Sequence, residues 1–488
     1  MGVGLRNPIQ LYNSMLESGT SLRETSGVNA SAPRPAAKPP QTDRLQTPVL
    51  KRREFLKSAA FAGVSGLILP RVRLFGADAP SNKLNIALIA TGHRAQDHFA
   101  GAAQENVVAL CDVHQQHLAA AAKRFPKARQ YEDWRKCLEQ KDIDAIICCT
   151  LDHTHAFVTN WAMNRGQHVY CEKPLVNSVE EARIIRAAWL KNKGKLATQV
   201  GTQRHQFSNF NRVREMIRDG AIGKLEEVSA WGNRKVPRDG YLPSEGDAPA
   251  YINYDLWLGP SPVHPYNSEY FKGGCLHWNM YWDWGSGQVG DMGSHTMDLA
   301  WNAIDAVLPT SAEGKGDPFN SDVTPVKLET HFDIPANDWR SDIKVSWYQG
   351  GALPDSPHPG IDLDKIGHGV LFEGSSGCLI ADFQSRFLMP RGNQSDLTYY
   401  QPRSKAELLP ALKGSFQQEW ISACKGSLKT SCDFGYGCDM IEMMLLGLVA
   451  YRVGKKLQYD GTTGRVTNSA EANDLLRHTY REGWTLNG

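Results

Sequence analysis

The sequence is short of charge imbalance. Its 54 Lys and Arg stand against 52 Asp and Glu, a formal net charge of +2 over 488 residues, and no basic run rises above scattered lysines and arginines. No nucleic-acid surface is indicated, since that needs positive charge gathered on one face. The 10 cysteines include no Cys-x-x-Cys pair, which speaks against zinc ligation and a disulfide framework. Cys148, Cys149 and Cys171 lie within apolar runs, where a thiol packs as a small hydrophobe. There is no internal repeat, and the apolar stretch at residues 58–69 is too short for a stable membrane span. What remains is a chain with 41% hydrophobic residues, long enough to bury the cores of two domains.

What is present is an alternation of short apolar runs and helical stretches. Residues 84–90, 107–111 and 145–150 are apolar and rich in β-branched side chains, as strands buried on both faces should be. Between them, Gln115–Arg124 and residues 156–164 have helical spacing. The pattern reads β-α-β-α-β, a doubly wound parallel sheet. A fourth run ends in Cys171-Glu172-Lys173-Pro174. Open parallel sheets bind ligands just beyond the carboxyl ends of their strands, so Lys173 is placed to point into a cofactor cleft. The plainer reading of a lysine before proline is a solvated loop residue.

The first run leads into Ala90-Thr91-Gly92-His93-Arg94-Ala95, in the place of the G-x-G-x-x-G dinucleotide fingerprint but with only its middle glycine. Gly92 lets backbone approach a pyrophosphate, and Ala90 can make the turn if its φ stays negative. Residues 90–94 are therefore cofactor-binding candidates. Asp112 closes the second run about twenty residues on, where a carboxylate accepts hydrogen bonds from ribose hydroxyls and repels a 2'-phosphate. NAD is thus favoured over NADP. Arg94 pulls the other way, because a guanidinium in that turn can hold a phosphate.

This turn, Asp112, the segment Thr150-Leu151-Asp152-His153-Thr154-His155 and the segment Glu172-Lys173-Pro174 together resemble the glucose-fructose oxidoreductase and inositol dehydrogenase (Gfo/Idh/MocA) family. Farther on, Gly290-Asp291-Met292-Gly293-Ser294-His295-Thr296-Met297-Asp298 is similar to that family's D-x-G-x-H-x-x-D segment. The resemblance runs from about residue 83 to the end. It implies an α/β chain in two domains: an NAD-binding Rossmann domain over residues 83–202, then a substrate-binding and oligomerisation domain with a large, mostly antiparallel open sheet over 203–488. Thr150, Leu151, Asp152, His155 and Glu172 would join the cofactor site. The substrate would be a sugar, cyclitol or glycoside, and the assembly a homodimer or homotetramer.

The residues agree with that arrangement. Residues 179–193 have helical spacing and 196–201 read as a strand. Alternating segments come next at 225–231, 326–332, 343–348, 369–372 and 377–383, as in an antiparallel sheet, with late helices at 440–455 and 470–484. Oxidising a secondary alcohol needs a base for the hydroxyl proton and a cation beside the reacting oxygen. The resemblance makes His295 the base and Lys173 the cation. Asp291, four residues before His295, would bind a hydroxyl or orient the imidazole. His295 can also be read as a core histidine, and Asp298 as a structural helix residue. The set Asp291, His295, His277 and Asp283 lacks tight metal-ligand spacing, so no metal is expected. Tyr254 and Trp278 offer flat faces for a sugar ring, and Arg204 a polar contact. Three functions fit: a dehydrogenase, a secreted glycosidase that cycles a tightly bound NAD through oxidation, elimination, hydration and reduction, and a catalytically silent nucleotide-binding protein. Retention of both Lys173 and His295 argues against the last.

Ahead of this lie two segments of another kind. Residues 1–50 are rich in Ser, Pro, Thr and Asn and read as a disordered leader. Residues 51–79, with Arg52-Arg53 before Phe55-Leu56-Lys57 and a short apolar stretch, resemble a signal read by the twin-arginine export machinery, which implies a periplasmic protein. The leader is long for such a signal. Replacing Arg52 and Arg53 with lysine is expected to strand the precursor in the cytoplasm. Fractionation that finds the variant in the periplasm at the usual level would remove this reading.

Overall fold

The computed structural model describes residues 82–391, 409 and 414–487, so the leader and signal expected over residues 1–79 lie outside the described residues. Six short strands pair in parallel in the order β3-β2-β1-β4-β5-β6: β1 (Asn85–Ile89), β2 (Asn106–Cys111), β3 (Arg129–Tyr131), β4 (Ala145–Cys148), β5 (His168–Cys171) and β6 (Thr198–Val200). Helices cover both faces, and β4 is buried along its whole length. Sequence periodicity misses β3. Its Arg-Gln-Tyr is half-exposed at the sheet edge and carries no apolar run. Lys173 therefore comes after the fifth strand, not the fourth.

The second sheet has nine strands in the order β13-β12-β11-β7-β10-β9-β8-β14-β15. These are β7 (Leu225–Gly232), β8 (Ser311–Gly316), β9 (Leu328–Ile334), β10 (Ile343–Gln349), β11 (His368–Gly374), β12 (Gly377–Ala381), β13 (Arg386–Pro390), β14 (Leu457–Asp460) and β15 (Arg465–Val466). Every neighbouring pair is antiparallel except β7 with β10. The expected large, mostly antiparallel sheet is present. Along β9, buried and half-buried side chains alternate, the period of a sheet covered on one face.

Helix Phe434–Val453 is, among the described residues, the one long and apolar enough to cross a bilayer. It is mostly buried, packed against β8, β9 and helix Val179–Asn192, as a core helix apolar on all sides should be. Asp433 caps it by accepting from the Tyr436 amide at 3.0 Å, so it starts ahead of residue 440. The expected helix over 470–484 stops at Asp474. Beyond it the chain turns to lay Tyr480 and Trp484 on Phe157, with ring centroids 4.9 and 6.2 Å away, and tertiary packing overrides the helical pattern. None of the ten cysteines is paired; all are buried but Cys149, Cys275 and Cys424, which are half-buried.

Helix Phe416–Cys424 returns from the C-terminal half to cover one face of the parallel sheet. Trp420 is 0% exposed and lies 5.8 Å from Tyr170 of β5. Trp420→Ala is expected to cost about 3–5 kcal/mol, the usual loss for a large buried ring. A urea denaturation curve that gives less than about 1 kcal/mol would mean that this helix does not hold the sheet.

Candidate active site

The carboxyl ends of β1, β2, β4 and β5 open onto a cavity of about 440 Å³. Every expected cofactor residue lines it except Thr91, which is buried beneath the turn. The turn differs from expectation. Ala90 has φ +68° and His93 φ +45°, so alanine occupies the left-handed conformation where glycine is easiest. Asp112 holds this conformation. One of its oxygens accepts from the Thr91 amide at 2.7 Å and hydroxyl at 2.9 Å, the other from the His114 amide at 2.9 Å. Gly92 is required for space, because a Cβ there would meet the His117 ring at 2.3 Å. His117 stacks on His114 at 4.0 Å and meets His93 edge-on at 5.1 Å, a histidine cluster that periodicity does not reveal.

Arg94 is largely engaged within the protein, and only its Nη2 is left without a partner. It pairs with Glu172 at 2.9 Å and with Asp97. Burial alone would raise the Glu172 carboxyl, but His98 at 2.9 Å and Arg94 hold it at about 2. Gly201, after β6, presses on it so closely that a Cβ would lie 2.7 Å from its oxygen. Glu172 is thus a buried anchor that ties the turn after β1 to the loop after β5.

The next residue is Lys173, which lines the cavity. The Lys173 ammonium donates to one oxygen of Asp291 while Arg234 donates to the other. Burial would lower the Lys173 pKa, but Asp291 raises it above the usual lysine value, and in return Lys173 keeps Asp291 below the usual carboxylate range despite burial. Asp291 sits in a single π turn, Val289–Gly293, and His295 in the adjoining helix Ser294–Ile304. The expected orientation of His295 by Asp291 is absent, since Asp291 is engaged by the two cations. His295 is 7% exposed, and burial together with the charge of Lys173 lowers its pKa to about 3. Its Nδ1 has no partner. Burial thus favours the neutral imidazole, and its unpartnered Nδ1 lies buried, outside the lining of the cavity. Asp152, in the first turn of helix Asp152–Asn164, also has a buried, unpartnered oxygen, and burial raises it to about 7.

The other candidates divide. Asp298 pairs with His205 at 3.0 Å and accepts from the Tyr436 hydroxyl, a structural role. His155 faces the carbonyls of Pro174 and Thr150 at 2.6 and 3.0 Å with its two ring nitrogens, beside Cys148 and Cys171. His153 does not line the cavity; it contacts the carbonyls of Trp257 and Leu258 at 3.2 and 3.1 Å. It thereby anchors a strap, residues 251–278, that lines the cleft. In this strap Trp257, Phe271, Cys275 and Trp278 wall the cavity opposite the glycine turn. The Tyr251 carbonyl accepts from the Gln115 amide at 2.8 Å, and the Asn253 amide donates to Val113 at 2.8 Å. Tyr254 packs on Trp257 at 5.6 Å behind that wall, away from Lys173. Arg204 lies 5.4 Å over Phe383, whose ring neighbours His295 at 6.3 Å.

The cavity suits a dinucleotide. A Gly92 cradle, a carboxylate at the end of β2 and buried polar atoms without partners on Arg94, His114 and Asp152 all face it. Residues 84–201 match the model of an oxidoreductase family's NAD-binding Rossmann fold, and residues 234–318 match the C-terminal alpha/beta domain of the same family. An inositol 2-dehydrogenase of Klebsiella pneumoniae is 33% identical over 146 residues, 29% of this chain and 43% of that protein. A levoglucosan dehydrogenase of Pseudarthrobacter phenanthrenivorans is 26% identical over 207 residues, 41% of this chain and 45% of its own length. The chain thus spans less than half the length of these relatives. Among solved structures, the WlbA dehydrogenase from Bordetella pertussis, in complex with NADH and UDP-GlcNAcA, is alike with a TM-score of 0.54 at 15% identity, over 78% of this chain and 99% of that one. An inositol dehydrogenase homolog from Azotobacter vinelandii, complexed with NADH and myo-inositol, gives 0.53 at 18%, over 77% and 98%. These two likenesses show the fold. Both domain models of the Gfo/Idh/MocA oxidoreductase family thus match this chain, over residues 84–201 and 234–318, in the same order as the two sheets.

Proposed function

We propose that the protein is an NAD-dependent oxidoreductase acting on a secondary hydroxyl of a sugar, cyclitol or glycoside. The observation that carries this reading is a fixed ammonium, Lys173, on the wall of the dinucleotide cavity, whose charge acts on the buried imidazole of His295, a residue that does not itself line that cavity. A hydroxyl oxygen beside Lys173 gains a positive neighbour that stabilises developing alkoxide. His295 can take the proton because burial keeps it unprotonated. Asp291 holds Lys173 and Arg234 in place from its two oxygens. When bound, the nicotinamide supplies the acceptor for the hydride that leaves the same carbon, so the alcohol becomes a carbonyl. NAD is favoured over NADP by the Asp112 carboxylate and by the engagement of Arg94 with Glu172. The inositol and levoglucosan dehydrogenases among the relatives support the substrate class.

One observation favours the redox-cycling glycosidase as a second reading. The strap is sewn to the parallel domain by two backbone hydrogen bonds and by His153, which would hinder nucleotide exchange. Export, which the Arg52-Arg53 pair supports, would suit a retained dinucleotide as well.

Lys173→Met and His295→Ala are each expected to lower turnover by roughly a hundredfold or more with dinucleotide affinity little changed. A dehydrogenase forms NADH in step with substrate, whereas the cycling enzyme releases aglycone without net NADH. Unchanged turnover in both variants on a verified substrate would place the active site elsewhere.

Asp152 generates a second expectation. Its folded pKa of about 7 lies above the carboxylate's ordinary 3.8, so the folded state binds the extra proton between those values. Stability from this group is therefore present at acid pH and lost as pH rises through 7. Asp152→Asn should raise the melting temperature at pH 8, each kcal/mol counting for roughly 2–4 °C, and the gain should fade toward pH 4. A gain that grows toward acid pH would contradict the assignment.

A further inference from the structure

A second cavity, of about 290 Å³, is lined by Asn233, Arg234, Met292, Gly367 and His368, and so begins at the residues that flank Asp291. Only one end of Arg234 is engaged, by Asp291, and its side chain is 41% exposed. Arg204 approaches the same place from the loop after β6. Its guanidinium lies over the rings of Phe207 and Phe383 at 5.8 and 5.4 Å. It has no carboxylate and no side-chain hydrogen bond among the described residues, and its Nε is buried without a partner. Phe383 is also the neighbour of His295 at 6.3 Å and of His368 at 4.6 Å. One phenyl ring therefore brings Arg204 to both the reacting end and the second cavity. The electrostatics agree. Burial chiefly lowers the pKa of His295 and of His368, and Arg204 lowers both further, with Arg234 adding to the effect on His368.

No carboxylate meets Arg204 among the described residues. Lys173 and Arg234 share Asp291, while Asp152 acts on Lys173 and Glu172 on His295. Asp382 acts on His368, and one of its oxygens accepts from the amides of Gln384 and Ser385 at 2.7 and 2.5 Å. A buried guanidinium N–H without an acceptor, as at Arg204 Nε, is costly unless a ligand completes it. Planar forks of this kind are best completed by carboxylates, which accept two parallel hydrogen bonds. Resting on the oxidoreductase reading of this site, we propose that the substrate is a sugar acid whose carboxylate is bound by Arg204 and Arg234 while a hydroxyl on the same ring meets Lys173 and His295.

The test is a calorimetric titration of the dinucleotide-loaded protein with matched pairs, D-glucuronate against D-glucose and D-galacturonate against D-galactose. In at least one pair the acid is expected to bind tenfold more tightly or better, by a margin that shrinks with added salt. Arg204→Gln should cut the affinity for the acid at least tenfold, and Arg204→Lys, which keeps the charge but loses the fork, should recover some of it. Retained dinucleotide binding shows that a variant is folded. Equal affinities in every pair, or tighter binding of the neutral sugars, would overturn the proposal, and so would a preference for glucose 6-sulfate over glucuronate. NADH formation, followed separately, keeps the two readings apart. An acid that binds and is not oxidised sinks the dehydrogenase and leaves this assignment, whereas oxidation of neutral sugars without binding of acids does the reverse.

Discussion

Asp291 is the joint on which the site depends. Its two oxygens receive a cation from each sheet, Lys173 from the loop after β5 and Arg234 from the chain just past β7. An ion pair buried this way is rarely a large net gain in stability, but loss of one partner leaves a charge stranded in a poor solvent. The arrangement is therefore self-enforcing. Lys173 stays an ammonium because Asp291 is there, and its charge helps burial keep His295 neutral. In the proposed reaction, a base and an electrostatic stabiliser with opposite protonation needs would thereby coexist at one pH.

Glu172 has the corresponding role, one residue earlier. It binds His98 and Arg94 from the β1 side, so the backbone that presents Lys173 is tied to the turn that would meet the dinucleotide. The strap lines the cavity with aromatic side chains, and it is linked to the parallel domain by two backbone hydrogen bonds and by the side chains of His153 and Asn253. Such a wall both excludes water and slows exchange, which is why the dehydrogenase and the redox-cycling reading share one geometry.

Much of this is legible in the residues. Buried parallel strands are apolar end to end, so β1, β2, β4 and β5 stand out, and with them the positions of Asp112, Glu172 and Lys173 at strand ends. The edge strand β3 does not, because an exposed strand has no need of an apolar run. The left-handed Ala90 is invisible as well. Nothing local favours that conformation; it is held by hydrogen bonds between Thr91 and Asp112, which are distant in sequence.

Local pattern determined the strands of the two sheets and the place of Lys173 at a strand end, since periodicity and strand-end position are properties of short segments; His295 and Asp291 were marked by the family resemblance. The partners were decided by tertiary structure alone. That Arg94 answers to Glu172, that Asp291 serves Lys173 and Arg234 and not His295, and that Arg204 is left without a carboxylate result from contacts across 57 to 118 positions or from their absence. Electrostatic pairing acts through space and is settled by which side chain arrives first at a buried oxygen. No spacing rule encodes that.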